Sequence, residues 1–284
     1  MRGRLASSAV LVVRAPDFDY PDDLAVGWNP IYPELACSAN AISVLMPYVE
    51  PYFVKSIRAT LPSLDEPLRT ETAAYLKQEL QHHVQHRRFN DLLARRCPSL
   101  RRLERAVRRT YGWLERRGSS RFNVAFAAGS ETIAFGIARW IDRHVDSLFE
   151  QADPVVASLY LWHLAEEVEH KSAAFDVFEA TDGSRLRYAF ASWVSLTLLF
   201  AFTVSGSLLM LRSERRLRYP VAWFRLARWS ISLAFTVLPV LASSAMPGHH
   251  PSSFADPPFL TQWLRGFPAA TPAAATAVRP DPPR

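Results

Sequence analysis

The chain has 284 residues, enough for one large domain or two with ample core. Its 33 lysines and arginines outnumber 27 acidic residues for a formal charge of +6, yet no recognised nucleic-acid motif accompanies that charge. Nucleic acid is therefore not expected as a partner. Two cysteines, Cys37 and Cys97, exclude a disulfide framework and a thiolate metal site, and fit a reducing cytoplasm.

Residues 1–35 read as an N-terminal arm. Its apolar run Ala9–Val13 is too short for a secretory core segment, so no signal peptide is expected. Residues 36–184 read as a helical domain. The first helix, about Ala36–Leu61, carries Glu50 in the run SVLMPYVEPYFVKSI. Pro47 and Pro51 bracket Glu50, and a proline inside a helix removes a hydrogen bond and kinks it. Either a helix starts afresh near Pro47, or a break sits beside Glu50. The second helix, roughly Glu66–Arg95, carries Gln78-Glu79-x-x-His82, with His86 a turn beyond. After Cys97-Pro98 an arginine-rich stretch reads as an additional, partly exposed helix. The third helix, about Ser119–Ala152, carries Glu131 in another apolar run. Asp153-Pro154 opens the fourth, about Val155–Ala180, where spacings of four and three stack His163, Glu167 and His170 on one face.

A carboxylate alone in an apolar run must be paired or bind a cation, because burying it bare costs many kcal/mol. The chain offers, in order, Glu50, Glu79-x-x-His82, Glu131 and Glu167-x-x-His170. Two helical pairs, each giving one Glu and one Glu-x-x-His, form the ligand pattern of ferritin-like dinuclear bundles. A lone Glu-x-x-His is most simply a solvated face; the second copy argues otherwise. The expected fold is all-α, a ferritin-like four-helix bundle. The expected metal ligands are Glu50, Glu79, His82, Glu131, His163, Glu167 and His170. Glu79 and Glu167 are assigned as bridges and Glu50 and Glu131 as terminal ligands. His82 and His170 serve one metal each, and His163 joins the metal of His170. Nitrogen and oxygen donors without sulfur suit two iron ions, with manganese or a mixed Fe/Mn pair as alternatives. A ligating imidazole donates its other N–H to an acceptor. Gln78 and Glu166, each just before a bridging Glu, are placed to accept it, and Asp176 is a further candidate. His86 is either a rival ligand or an outer partner.

Beyond residue 184 the character changes. Tyr188–Leu211 is uncharged and long enough to span a bilayer, which takes ~20 residues. Trp229–Met246 is shorter and contains Pro239. Residues 185–246 thus read as an apolar helical hairpin, joined by a segment with six arginines against Glu214. Three arrangements stay open: a hairpin in or on a membrane, a pair packed on the bundle, and two true spans. Two spans would put the basic loop in the cytoplasm and the metal domain outside. Residues 247–284 read as a Pro/Ala-rich disordered tail in which His249 and His250 carry no role.

The stretch from about Val13 to Val177 resembles the family of predicted metal-dependent hydrolases. The likeness rests on Arg14, Phe18 and Trp28, on Gln78-Glu79-x-x-His82-x-x-x-His86, and on WHLAEEVEHKSAAFDVF at Trp162–Phe178. Val49 stands where that family has a glycine before its first Glu ligand. The arrangement His163-x-x-x-Glu167-x-x-His170 is similar to that of the di-iron p-aminobenzoate N-oxygenase group, which carries a third histidine on its fourth helix. That resemblance implies dioxygen, an unidentified electron donor and N-oxygenation of an amine-type or lipophilic small molecule. The residues themselves leave three functions open: an oxygen-activating oxidase or oxygenase, a hydrolase whose metals activate water, and a non-catalytic metal-binding bundle. The expected location is cytoplasmic, with a membrane surface as a candidate partner of the hairpin. A homodimer is compatible with the sequence.

Overall fold

The computed structural model describes residues 11–267, and among them ten α-helices occur and no strand. An extended arm, residues 11–32, leads in and is buried rather than peripheral: Phe18 packs on Trp162, and Trp28 stacks on Tyr160 at 5.4 Å. Helix α1 (Pro33–Arg58) starts on a proline, which suits the first helical position. It then runs unbroken through Pro47 and Pro51, in place of the restart or break the sequence suggests. Pro47 has no N–H for the Ser43 carbonyl, and that carbonyl accepts instead from Asn90 Nδ2 at 2.7 Å. The neighbouring helix thus supplies the missing donor.

Helix α2 (Leu68–Arg96) packs along α1, and the arginine-rich α3 (Leu100–Arg117) buries Leu103, Val107, Tyr111 and Leu114 while its arginines face outward. Helix α4 (Ser120–Asp142) is capped by the Ser119 hydroxyl, which accepts from Phe122 N. It ends ten residues before the expected Ala152, and a short α5 (Val145–Phe149) follows. Asp142 instead accepts from Leu260 N at 2.9 Å. Helix α6 (Pro154–His170), capped by Asp153, is offset from α7 (Ala173–Thr181) by a turn at Lys171-Ser172. Both turn residues keep right-handed dihedrals, so the expected single helix is kinked rather than broken. Helices α1, α2, α4 and α6 form the expected four-helix bundle, with α3 and α5 inserted in two of its connections.

The hairpin is α8 (Arg185–Ser213) and α9 (Pro220–Ala245), and both pack on the bundle. Glycines permit close approach: a Cβ on Gly129 of α4 would lie 2.8 Å from Ser192 Cα of α8, and one on Gly206 of α8 would lie 2.6 Å from Ala41 Cβ of α1. By length and composition both helices could cross a membrane, but only 28% and 22% of their apolar windows are buried. Residues 247–267, expected as disordered tail, turn back on the bundle through α10 (Pro258–Arg265), which buries Leu260 and Leu264. The remainder of that expected tail, 268–284, lies outside the described residues, as do residues 1–10 of the arm.

Candidate metal centre

The bundle brings all seven expected ligands to one place. Glu50 comes from α1, Glu79 and His82 from α2, Glu131 from α4, and His163, Glu167 and His170 from α6. Every one except His163 is at most 4% exposed; the His163 side chain is 12% exposed and marks the side where the centre reaches solvent. Glu79, His82, Glu167 and His170 present donor atoms within 4.8 Å of one another, and so do Glu50, His82 and His163. The two groups share His82.

Glu79 and Glu167 sit between the two halves. Glu79 Oε1 is 3.7 Å from His82 Nδ1 and 2.9 Å from His170 Nδ1. Glu167 Oε1 is 3.6 and 3.8 Å from the same two nitrogens. Glu131 Oε2 lies 3.8 Å from His170 Nδ1, while its Oε1 accepts from the Tyr75 hydroxyl at 2.8 Å. Glu50 Oε1 lies 3.9 Å from His163. His163 stacks on His82 with ring centroids 4.2 Å apart, so it stands with His82 and Glu50 rather than with His170 as the sequence suggests. His163 Nε2 and His170 Nδ1 both face Glu167 Oε1, at 3.1 and 3.8 Å, so Glu167 stands between the two histidines of its own helix.

A dinuclear cation site fits the atoms left over. Both Glu50 oxygens, Glu79 Oε1, Glu131 Oε2, His82 Nδ1 and His170 Nδ1 are buried without a hydrogen-bond partner among the described residues. Orphaned polar atoms are rare in folded interiors, and here they converge. Burial pushes the Glu50 carboxyl well above the usual carboxylate range, and repulsion from Glu79, Glu167 and Glu131 pushes it further. Burial and then Glu167 and Glu79 raise Glu131 likewise. Cations between them would relieve that repulsion.

The outer groups fix which nitrogen of each imidazole points inward. His82 Nε2 lies 3.0 Å from Glu166 Oε2; a carboxylate only accepts, so Nε2 carries the proton and Nδ1 turns a lone pair inward. Burial alone would raise Glu166, but its bonds to His82 and Arg14 outweigh this and hold it below the usual range. Arg14, from the arm, bonds Glu166 and Glu169 at 3.0 Å each. Gln78 Nε2 donates to Glu169, which leaves Gln78 Oε1 to accept from His170 Nε2 at 2.9 Å. Each histidine is therefore held by the facing helix.

A third chain of bonds reaches His163. Asn90 Nδ2 donates to the Ser43 carbonyl, so its Oδ1 accepts from the Ser43 hydroxyl at 2.7 Å. The Ser43 oxygen then accepts from His86 Nδ1 at 2.8 Å, and His86 Nε2 accepts from His163 Nδ1 at 2.6 Å. That order leaves His163 Nε2 as the inward atom, 3.1 Å from Glu167. His86 is thus an outer partner and not a rival ligand. Asp176 touches none of these histidines: its carboxylate accepts from His250 at 2.9 Å on the far side of the Lys171-Ser172 kink. Sequence reasoning missed Ser43, Asn90, Glu169 and Tyr75 as supports of the centre. Nothing in their spacing marks them, although the acidic cluster Glu166-Glu167-x-Glu169 is visible. The shallow groove lined by Pro51, Val54, Lys55, Arg58, Ala59 and Leu80, about 530 Å³, contains none of the seven residues.

A family model described as predicted metal-dependent hydrolase matches residues 12–254. No curated protein and no solved structure matches the chain.

Proposed function

The chain belongs to the predicted metal-dependent hydrolase family, and from that premise we propose that it is a dinuclear non-haem iron enzyme of the oxidase or oxygenase type. Manganese or a mixed Fe/Mn pair is the alternative occupancy. One observation carries the reading: four carboxylates and three imidazoles turn unpartnered or weakly partnered atoms onto one buried centre. Two divalent ions would neutralise the four carboxylates, and nitrogen and oxygen donors from four helices suit iron or manganese. In this assignment Glu79 and Glu167 would contribute to both ions, Glu50, His82 and His163 to one, and Glu131 and His170 to the other.

Such a pair, when bound, would supply the redox chemistry for reducing dioxygen. The chain's own part is to orient and to exclude water. Gln78 and Glu166 hold His170 and His82 by their outer N–H groups, and the Asn90–Ser43–His86 chain holds His163. Tyr75 donates to the Glu131 oxygen that faces away from His170. The likeness of the His163–His170 stretch to the N-oxygenase group supports an amine-type or lipophilic small-molecule substrate and a separate electron donor.

The family description favours a second reading, hydrolysis by a metal-activated water. The two separate on one comparison. The iron-loaded protein with a chemical reductant is expected to consume dioxygen and to lose this ability in Glu167→Ala. Turnover of ester or amide substrates under strict anoxia with zinc or manganese, and no dioxygen uptake with iron, would overturn the oxygenase reading in favour of the hydrolase.

A further inference from the structure

The outer face of the α8–α9 hairpin is apolar and uncovered. On α8, Trp193, Phe200 and Val204 recur at helical spacing on an uncovered side, and Trp193 and Phe200 are 60% and 58% exposed. On α9, Ile231 and Phe235 continue the face, with Phe235 at 79%. No charged residue interrupts α8 between Arg187 and Arg212. Exposed apolar patches of more than a few hundred Å² on soluble domains mark interaction surfaces.

The two ends of this face differ in charge. At the open end of the hairpin Arg185 pairs with Glu179, and Arg187 with Asp182. At the connecting turn Arg212, Arg215 and Arg216 are exposed and enter no ion pair among the described residues. Tyr219 and Trp223 stand beside them, half-exposed aromatics of the kind enriched at membrane–water boundaries. Helix α3 brings further exposed arginines to the same end, since Leu103 packs on Gly206 of α8.

We propose that this face docks flat on a bilayer containing anionic lipid, with the arginine-rich turn at the headgroups and the aromatic stripe sunk into the acyl boundary. Charge points to anionic headgroups as the occupant: Arg212, Arg215 and Arg216 gather at one rim of the face with no ion pair among the described residues, and anionic headgroups complement them. Geometry decides against two spans. Helix α8 touches the bundle at both ends, through Ser192 on Gly129 and Gly206 on Ala41, so upright insertion would drag polar bundle surface into hydrocarbon. The proposal does not rest on the metal assignment.

The test is flotation of the whole purified chain with preformed vesicles, one set of phosphatidylcholine alone and one with phosphatidylglycerol added. The wild type is expected to float with the anionic vesicles and weakly with the neutral ones. Joint replacement Trp193→Ser, Phe200→Ser and Phe235→Ser is expected to cut binding at least tenfold with unchanged helix content. Each of Arg212→Ala, Arg215→Ala and Arg216→Ala is expected to cut it about fivefold on anionic vesicles only, from ~1 kcal/mol per basic side chain near the surface. Absence of flotation, or flotation unchanged in the triple serine variant, overturns the proposal. So does a stable dimer in sedimentation velocity that the triple variant dissociates. With the native Cys37 and Cys97 buried, a cysteine added by Glu214→Cys that becomes shielded from an impermeant reagent outside the vesicle, while Ser120→Cys stays reactive, would mean spanning and overturns it too.

Discussion

Gln78 and Glu166 each act on a histidine carried by the facing helix, so the centre is braced across the bundle rather than along one helix. Losing such an outer partner typically costs 10–100-fold in metal affinity. Gln78→Ala and Glu166→Ala are accordingly expected to weaken metal binding by about that factor while leaving helix content intact, measured by competition with a chelator. Affinity unchanged in both would mean that the imidazoles are oriented by something else. Ser43→Ala is expected to free His86 to change tautomer, visible in histidine ¹⁵N spectra of the metal-free protein, and to cost about 1–3 kcal/mol by leaving a buried N–H unpaired. Unchanged spectra would exclude the Ser43–His86–His163 order. Titration gives another check. In the metal-free fold Glu50 and Glu131 are raised by burial and neighbouring carboxylates, and His170, though lowered by burial, is raised overall by Glu167 and Glu79. Raised groups bind more protons folded than unfolded, so stability falls as pH climbs above their ordinary values. His86 and His163 are lowered, chiefly by burial, and have no opposing effect above the ordinary histidine value of 6.5. The metal-free protein should therefore lose Tm as pH rises above about 7, where the raised groups still shed protons; a flat or rising Tm would contradict the raised groups. Glu79 with His82, and His163, Glu167 and His170, were legible from helical separations of three and four, whereas Glu50 and Glu131 stood out only as lone carboxylates in apolar runs. The outer supports were not, since Ser43 and Asn90 are joined only by tertiary approach of α1 and α2.

Helix existence followed from apolar periodicity and from stop signals, but continuity did not. Pro47 reads as a breaker until Asn90 is placed beside Ser43, and Asp142 reads as mid-helix until Leu260 arrives to use its carboxylate. In both places a residue distant in sequence decides the local outcome. Interhelical glycines tell the same story. In an isolated helix Gly→Ala gains about 1 kcal/mol, yet at Gly129 an added Cβ meets Ser192 backbone at 2.8 Å, where no side chain can swing aside. Overpacking of this kind costs about 1–3 kcal/mol, so Gly129→Ala is expected to lower stability in urea unfolding. A stabilised variant would show that α8 is not seated on α4 as described.

At the scale of the molecule the bundle, the arm and the tail form one core, with Phe18 and Leu260 in the same apolar cluster as Phe126 and Trp162. The arm is held to α2 and α6 through Arg14, Gln78 and Gln85, which ties the N-terminal segment to the groups that orient the histidines. Composition alone could not distinguish a hairpin that crosses a membrane from one that packs on the bundle, because both demand apolar helices of similar length. The close approaches at Gly129, Gly136 and Gly206 seat the hairpin on the bundle, and they depend on partners distant in sequence: Ser192 of α8, Val237 of α9 and Ala41 of α1. Metal analysis of protein purified from iron-supplied cells tests most directly whether a pair of cations sits between Glu79 and Glu167. About two ions per chain are expected in the wild type, falling to half or less in Glu79→Ala and in Glu167→Ala. A wild type without bound metal, or full occupancy in both variants, would contradict the account.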